Sequence, residues 1–434
     1  MAALAFTILV RLPDGYAPGS GWDNWRAACI RAGGLGSEIA DKRYPGGRDY
    51  FAPQVERVLF PGGPTRGDAE RWVQQPLALD IELANALTTY VLAVDLLEIV
   101  RTALAPGVTF GLAHLSANGV EGRDAMVDCA QAIAKRWRWD DADPPKIALR
   151  RDSEVTPLLG HEPLRLIADR LFGAAHPHTM HRAHVFVLAR VPSEVSLAEE
   201  SIWRRAVGRG QSETRAEQAL RADQGREHAR TEAIGGARAS FYELSSLVSY
   251  REDSSPGWMY TARSYWCECV LYGLLQQSFL ETLAADLAQL GRRPMHDRAI
   301  DVLFERWVAF LNVLWWRELS YTGDVPGRIL RHVHREMSTD SLFDDLRLAF
   351  STYVDARRHR TSDAAQAALR GLQVYGAAFA VIGTAATVAQ VWGERYLATN
   401  LGRLVMVVGL LALGIAAAVV ISAMLDRRER RVDQ

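Results

Sequence analysis

The stretch that decides the predicted fold is GLQVYGAAFAVIGTAATVAQVWGERYLATNLGRLVMVVGLLALGIAAAVVISAMLDRRERR, residues 371–431. Residues 371–393 contain no charged side chain, and neither do residues 404–425. A helix needs about 20 predominantly apolar residues to cross a bilayer, so each run is long enough to span it. Two buried helices of a globular domain are the alternative, but such helices rarely stay uncharged over this length twice in succession. The sequence therefore predicts a transmembrane hairpin at residues 371–425.

Basic residues flank both sides of the predicted hairpin. Four arginines precede it and four follow it, namely Arg357, Arg358, Arg360, Arg370, Arg427, Arg428, Arg430 and Arg431. The connecting loop carries Arg395 and Arg403 only. Because cytoplasmic flanks are enriched in Lys and Arg, we predict that both termini are cytoplasmic and that residues 426–434 form a basic cytosolic tail. The lipid bilayer is then a direct partner.

Overall composition excludes a strong charge bias. The 434 residues include 50 basic and 51 acidic side chains, so no global field attracts nucleic acid, and we expect no nucleic-acid partner. The cysteines are too few and too scattered for a disulfide framework, and the pair at Cys267 and Cys269 has CxC rather than CxxC spacing. We interpret them as reduced core residues.

Residues 1–192 alternate strand-like and helix-like runs, which predicts a cytosolic α/β domain of undetermined strand order. The strand-like runs are AFTILVRL (5–12), VERVLF (55–60), YVLAVDLLEIV (90–100), VTFGLAHLSA (108–117) and HVFVLARV (184–191). The helix-like runs are RDAMVDCAQAIAKRWR (123–138) and EPLRLIADRLFG (162–173).

Residues 193–239 are polar, rich in arginine and mixed in sign. They suit either a nucleotide or nucleic-acid patch, or a solvated helix or connector. We favour the solvated helix or connector, because acidic residues accompany the arginines.

Residues 240–370 have the periodicity of a helical bundle that ends in a long stalk helix. Long apolar runs occupy residues 264–290 and 297–319, and no proline interrupts the chain from Asp340 to Trp392. An apolar stripe spaced by four residues continues along the stalk at Leu342, Leu346, Phe350 and Val354. The predicted fold class is therefore an α/β cytosolic domain, a long-helix stalk bundle and a C-terminal two-helix transmembrane hairpin.

The chain lacks the motifs of the common catalytic sites. It has no P-loop, no dinucleotide-binding glycine loop, no GxSxG and no HExxH. The histidines of HPHTMHRAH could ligate a transition metal or lie on a surface turn, and their irregular spacing favours the turn; they are His176, His178, His181 and His184. Trp315 and Trp316 are interpreted as core packing between helices. We predict no enzyme activity, no catalytic residue, no metal and no cofactor.

The layout of residues 240–434 resembles that of the CorA-like superfamily of two-span membrane proteins. The family carries Gly-Met-Asn at the outer end of the first span, often after an aromatic residue. This chain has Trp392 and Gly393 at that place, and Glu394 and Arg395 replace Met and Asn. The resemblance implies a homo-oligomer, which is a pentamer in the metal transporters. Bacterial members without the signature include effectors of antiviral and conflict systems, which implies the plasma membrane of a bacterium.

The first predicted span has one face suited to lining a pore or to close helix packing. Gly376, Gly383 and Gln390 recur every seven residues, and Thr384 and Thr387 lie beside them. The outer mouth is assigned to the four residues 392–395.

Two functions follow from this layout. The first is an oligomeric CorA-like pathway, either an ion channel or transporter or a membrane-perturbing effector, that the cytosolic domain controls on binding a small-molecule or protein activator. The alternative is a membrane-tethered cytosolic sensor or scaffold that does not conduct.

Overall fold

The structure is a computed structural model of the chain. It describes residues 3–13, 15–24, 51–60, 69–74, 78–84, 88–102, 105, 107–134, 146–152, 154–158, 163–173, 183–223, 231–234, 236–242, 245–251, 262–290, 297–320 and 324–355. The chain divides into two compact units, Met1–Leu346 and Arg347–Gln434. All elements named below belong to the first unit, apart from the end of the helix at residues 339–355.

The described residues contain a twelve-stranded sheet. Its strands are β1 Leu4–Leu12, β2 Asp23–Asn24, β3 Ala69–Gln74, β4 Leu79–Ala84, β5 Thr89–Thr102, β6 Thr109–Ala117, β7 Lys146–Arg151, β8 Glu154–Leu158, β9 Ala183–Arg190, β10 Thr231–Ile234, β11 Ala237–Tyr242 and β12 Ser245–Tyr250. The spatial order is β10-β11-β12-β9-β1-β6-β5-β4-β7-β8, while β3 pairs with β5 and β2 pairs with β3. Neighbouring strands are antiparallel except β9 and β12, which are parallel.

Helices accompany the sheet throughout the described chain. They are α1 Pro53–Leu59, α2 Arg123–Ala134, α3 Pro163–Phe172, α4 Glu200–Arg209, α5 Glu213–Asp223, α6 Cys267–Leu290, α7 Asp297–Val313 and α8 Val325–Met337. A π-helical turn at Ala262–Trp266 leads into α6, and residues 339–355 are helical after Ser338, which has a left-handed φ of 57°.

The two faces of the sheet differ in polarity. Successive side chains of a strand point to opposite faces. In the central strand β1, Phe6, Ile8 and Val10 belong to the main apolar core, together with residues of α2, α3 and α4. Thr7 lies between Phe6 and Ile8 and therefore points to the opposite face. We call these the apolar face and the polar face.

The parallel pairing of β9 and β12 requires a crossover connection, which α4, α5 and the β10–β11 hairpin supply. Helix α4 is held against the apolar face by Trp203, Ala206 and Val207, all of which are fully buried. At Gly208 the helix approaches Tyr242 so closely that a β-carbon would lie 2.7 Å from the ring.

Helix α6 covers the polar face and is buried along most of its length. Arg11 of β1 donates a hydrogen bond to the Thr282 hydroxyl of α6, at 3.3 Å. On its outer side α6 packs against α7 and α8. Gly273 allows the close approach to α8, because a β-carbon there would lie 2.7 Å from Cγ1 of Val333.

Gly273→Val should lower the free energy of unfolding by about 1–3 kcal/mol, because the added carbons overpack the contact between α6 and α8. Urea denaturation of the full chain measures the change. Val333→Ala removes the opposing methyl groups, so the double variant should lose less than the sum of the two single losses. Additive losses would show that the two positions do not compete for the same space.

The predicted layout, an α/β domain followed by a helical bundle, is wrong. Residues 231–250 supply β10, β11 and β12, and β12 pairs with β9 inside the same sheet. The polar segment contains helices α4 and α5, and α4 is not solvated as predicted but buried against the sheet. The run VERVLF forms α1 rather than a strand, with Pro53 in its first turn and an inward face of Val55, Val58 and Leu59.

The predicted membrane character is also corrected. Within the described ranges, no helix combines the length and the apolar character that crossing a bilayer requires. The longest described helix, α6, carries buried Glu268, Gln276 and Gln277 and uses them within the protein. This finding overturns the predicted fold class with its transmembrane hairpin, the membrane and channel character, and the plasma-membrane location. The segments that carried the prediction, residues 371–425 and 426–434, lie outside the described residues, as does the stalk helix beyond residue 355.

Candidate functional site

The site residues predicted from the sequence all lie outside the described residues. They are Gly376, Gly383, Thr384, Thr387, Gln390, Trp392, Gly393, Glu394 and Arg395. The structure instead places chemically interesting groups on the polar face of the sheet, between α6 and α8, and in two clefts.

Of the four clustered histidines, only His184 is described. It lies on β9 rather than on a surface turn, it is buried, and its Nε2 is 2.9 Å from the Ser246 hydroxyl. Burial lowers the pKa of His184 to about 3. The described residues contain no group of three or more side chains that could hold a metal ion. Cys129, Cys267 and Cys269 are buried free thiols, as the sequence predicted.

Five buried polar side chains form a continuous network on the polar face, which we call the ionic cluster. Its members are Thr7 on β1, Arg71 on β3, Glu98 on β5, His114 on β6 and Glu268 on α6. The register explains the arrangement, because Thr7 is directly opposite His114 in the β1–β6 pair. The two carboxylates come from different layers, so the ionic cluster joins the sheet to α6.

Arg71 lies at the centre of the ionic cluster. Its Nε donates to Glu98 at 2.6 Å, and its Nη2 and Nη1 donate to the two oxygens of Glu268 at 2.7 and 3.2 Å. Nη1 also donates to the Leu59 carbonyl at 3.3 Å. Burial alone would lower the pKa of Arg71, but the carboxylates of Glu268 and Glu98 outweigh it and raise the pKa above its ordinary value. The guanidinium is therefore a permanent positive charge between two carboxylates.

Thr7, His114 and Glu98 form a hydroxyl–imidazole–carboxylate chain. The Thr7 hydroxyl is 3.0 Å from His114 Nδ1, and His114 Nε2 is 2.8 Å from Glu98. Nucleophilic catalysis uses the same sequence of groups. Here, however, Thr7 is only 1% exposed and His114 and Glu98 are fully buried, so no substrate can reach the hydroxyl. These hydrogen bonds instead connect β1, β6 and β5 within the sheet.

A second buried polar group lies between α6 and α8. His334 Nε2 is 2.6 Å from Gln276 Oε1, and Gln276 donates to the Leu314 carbonyl at 2.6 Å. Trp315 stacks on the His334 ring with centroids 5.2 Å apart. Trp315 follows the end of α7 and is not itself helical. Its stacking on His334 of α8 confirms the predicted role in core packing. Burial lowers the pKa of His334 to about 4, with Asp340 opposing and Arg317 adding to the shift.

The first cleft, which we call the edge cleft, lies between the end of α3 and strands β4, β7 and β8. Its volume is about 310 Å³. Four leucines form its floor and five polar residues form its rim, namely Leu79, Leu97, Leu149, Leu171, Gln74, Arg151, Glu154, Thr156 and Arg170. Three of the leucines are buried, whereas Arg151, Glu154 and Arg170 are exposed. The edge cleft thus joins an apolar floor to a charged rim.

An irregularity of the sheet accounts for the position of the edge cleft. Strands β3 and β4 pair with successive parts of β5, and between them Ala78 has a left-handed φ of 47°. Opposite this interruption β5 has a register shift between Val94 and Leu96. Such irregularities bend the ladder and re-aim nearby side chains. Gln74 and Leu79, which flank the interruption, line the edge cleft.

The second cleft, which we call the hairpin cleft, lies where the start of α4 meets the β10–β11 hairpin and the end of β12. Its volume is about 420 Å³. The lining residues are Val191, Leu197, Glu200, Ala233, Gly236, Ala237, Arg238, Ser249, Tyr250 and Arg251.

Sequence reasoning did not find these sites, although signals for the ionic cluster were present. Glu98 and His114 stand within strand-like apolar runs, where a charged or titratable residue must have a partner. Arg71, the partner of Glu98, lies 27 residues away along the chain, and Glu268, the other partner of Arg71, lies 197 residues from Arg71. Only the tertiary structure reveals these pairings.

The fold and these sites define a mixed α/β protein whose sheet has an apolar and a polar face. Comparison of the chain with protein-family models, with curated proteins and with solved structures finds no match.

Proposed function

We propose that the unit Met1–Leu346 is a non-catalytic ligand-sensing module whose edge cleft binds a small amphipathic anion. The observation that carries the proposal is the floor of leucines beneath a rim with two arginines. This is the sensor part of the alternative function predicted from the sequence. The CorA-like membrane pathway is not carried forward, because its spans lie outside the described residues and none of the described helices can cross a membrane.

The size and lining of the edge cleft suit one ligand class. Small-molecule pockets have volumes of roughly 300–1,000 Å³ and combine apolar walls with a few polar groups that fix orientation. At about 310 Å³ the edge cleft accommodates a compact ligand. An aromatic or branched apolar body would lie on the leucine floor, where each 100 Å² of buried apolar surface contributes about 2.5 kcal/mol before the costs of association.

The rim favours a negative charge on that ligand. Within the described part of the lining, Arg151 and Arg170 outnumber Glu154, which leaves one net positive charge among these residues. Guanidinium groups form paired hydrogen bonds with carboxylates, sulfonates and phosphates.

A sensing role fits the described chemistry better than catalysis. Among the described residues that line the edge cleft, Thr156 is the one with a side-chain hydroxyl, and none is a histidine or a cysteine. The hydroxyl–imidazole–carboxylate chain that could support catalysis is buried in the ionic cluster instead.

Binding of 8-anilinonaphthalene-1-sulfonate to the full chain tests the proposal, because this fluorescent probe combines an apolar body with one negative charge. Replacing both rim arginines, Arg151→Gln and Arg170→Gln, should weaken binding of the probe about tenfold, since each exposed ion pair contributes up to about 1 kcal/mol. Thr156→Trp should abolish binding, because the indole fills the cleft. Fluorescence titration measures both effects.

Arg150→Gln is the matched control. Arg150 neighbours Arg151 on β7 but points to the other face of the sheet, where it pairs with Asp80 and Glu82 at 3.1 Å. The Arg150→Gln variant should leave the affinity for the probe unchanged. Equal weakening by Arg150→Gln and the rim variant, or undiminished binding in Thr156→Trp, would remove the edge cleft as the ligand site.

A further inference from the structure

The hairpin cleft has a chemistry different from that of the edge cleft, because it contains a buried carboxylate surrounded by arginines. The Glu200 side chain is only 4% exposed. Arg251 donates to its Oε2 at 2.6 Å, while the Nη1 atoms of Arg204 and Arg238 lie 3.7 Å from its Oε1. Three guanidinium groups therefore converge on one carboxylate, and two of them, those of Arg238 and Arg251, belong to residues that line the cleft.

Arg238 presents its guanidinium to the hairpin cleft. At 3.7 Å its nitrogen is too far from Glu200 for a hydrogen bond, so the contact is an ion pair only. The side chain is 49% exposed and its residue lines the cleft. Arg251, 36% exposed, also lines the cleft. Their donors can thus serve a ligand that enters from solvent.

An apolar wall completes the hairpin cleft. Leu197 is 74% exposed, and it lines the cleft together with Val191 and Tyr250. The volume of about 420 Å³ exceeds what a bare inorganic anion would fill. The wall and the remaining space suit the organic part of a ligand whose anionic head faces the arginines.

From this geometry we infer that the hairpin cleft binds a phosphomonoester, with the phosphate on Arg238 and Arg251 and the organic group against Leu197 and Tyr250. A phosphomonoester carries a charge of roughly −1.5 to −2 at pH 7, so it attracts both arginines that line the cleft. Planar guanidinium groups bind phosphate oxygens through paired hydrogen bonds. Glu200 holds the arginines in place and competes with the phosphate for them.

Isothermal titration of the full chain with phenyl phosphate tests the inference, with benzenesulfonate as the monoanionic comparison. Phenyl phosphate should bind at least fivefold more tightly than benzenesulfonate. Arg238→Gln should weaken phenyl phosphate binding about tenfold, because it removes one guanidinium. Glu200→Gln should strengthen binding severalfold, because it removes the competing carboxylate while keeping the shape of the side chain.

Two further variants keep the test decisive. Leu197→Glu, at an exposed position, should weaken phenyl phosphate binding by repulsion even if Arg238→Gln does not fold. Arg221→Gln makes the same change of charge on α5, where Arg221 is 77% exposed and pairs with Glu217, and should change the affinity less than twofold.

The inference is independent of the proposed function, so the two can fail separately. Arg238→Gln should leave binding of the naphthalene sulfonate probe unchanged, and Arg170→Gln should leave the affinity of the tightest phenyl phosphate site unchanged. The inference is overturned if phenyl phosphate does not bind at millimolar concentration, if benzenesulfonate binds equally well, or if Arg170→Gln weakens phenyl phosphate while Arg238→Gln does not.

Discussion

Arg71→Met should lower the free energy of unfolding by about 3–5 kcal/mol, which is the cost of removing one partner from a buried ionic group. The substitution leaves the carboxylates of Glu98 and Glu268 buried without the guanidinium that bridges them. It also removes the link between β3, β5 and α6. Urea denaturation of the full chain, followed by tryptophan fluorescence, measures the loss.

Two companion variants separate charge from packing at Arg71. Adding Glu98→Gln and Glu268→Gln to Arg71→Met removes the uncompensated charges, so the triple variant should be more stable than Arg71→Met alone. Arg71→Lys keeps the charge, but it cannot donate to Glu98, to both Glu268 oxygens and to the Leu59 carbonyl at once, so it should still be destabilised. A triple variant less stable than Arg71→Met would mean that shape rather than charge dominates the ionic cluster.

The free energy of unfolding should fall steeply as the pH drops from 6 to 5. The pKa of His184 is lowered to about 3 and that of His334 to about 4, from an ordinary value of 6.5. In this window both rings stay neutral in the folded chain and become protonated in the unfolded chain. Because the unfolded state then binds more protons, acid favours it, and each histidine contributes a slope of up to about 1.4 kcal/mol per pH unit.

The stability contributed by the two neutral histidines is complete above pH 6.5 and is lost as the pH falls toward 4 for His334 and toward 3 for His184. His184→Gln and His334→Gln should each reduce the slope of the unfolding free energy between pH 6 and 5 by up to about 1.4 kcal/mol per pH unit, which corresponds to one proton. This holds whatever the two substitutions do to stability at pH 7. Urea denaturation at several pH values supplies the slopes. An unchanged slope in both variants would show that these rings do not titrate on unfolding.

The sequence determined the central strands and several helices of this protein. Runs of apolar residues identified β1, β5, β6 and β9 to within a few residues, and the helical periods of residues 123–138 and 162–173 matched α2 and α3. These elements could be predicted because their burial pattern is visible among residues close together in the sequence, as an apolar run or as a repeat of three to four residues. The buried cysteines of α2 and α6 were predicted for the same reason.

Local pattern failed where a partner from elsewhere in the chain decided the outcome. The run VERVLF has strand-like composition, but Pro53 begins a helix there and Val55, Val58 and Leu59 share its inner face. The arginine-rich segment looked solvated, yet α4 is covered by α2, β11 and β12. The short strands β7, β8 and β10 are half-polar, and they are held by neighbours rather than by their own composition.

The candidate sites show the same division between sequence and tertiary structure. The residue types were visible in the sequence, since Glu98 and His114 interrupt apolar strands and Arg238 and Arg251 belong to an arginine-rich chain. Only the fold brought Arg71 between Glu98 and Glu268, and Arg238 and Arg251 around Glu200. Strand and helix patterns depend on neighbours a few residues apart, whereas a buried charge is stabilised by whichever partner the completed fold places within about 3 Å.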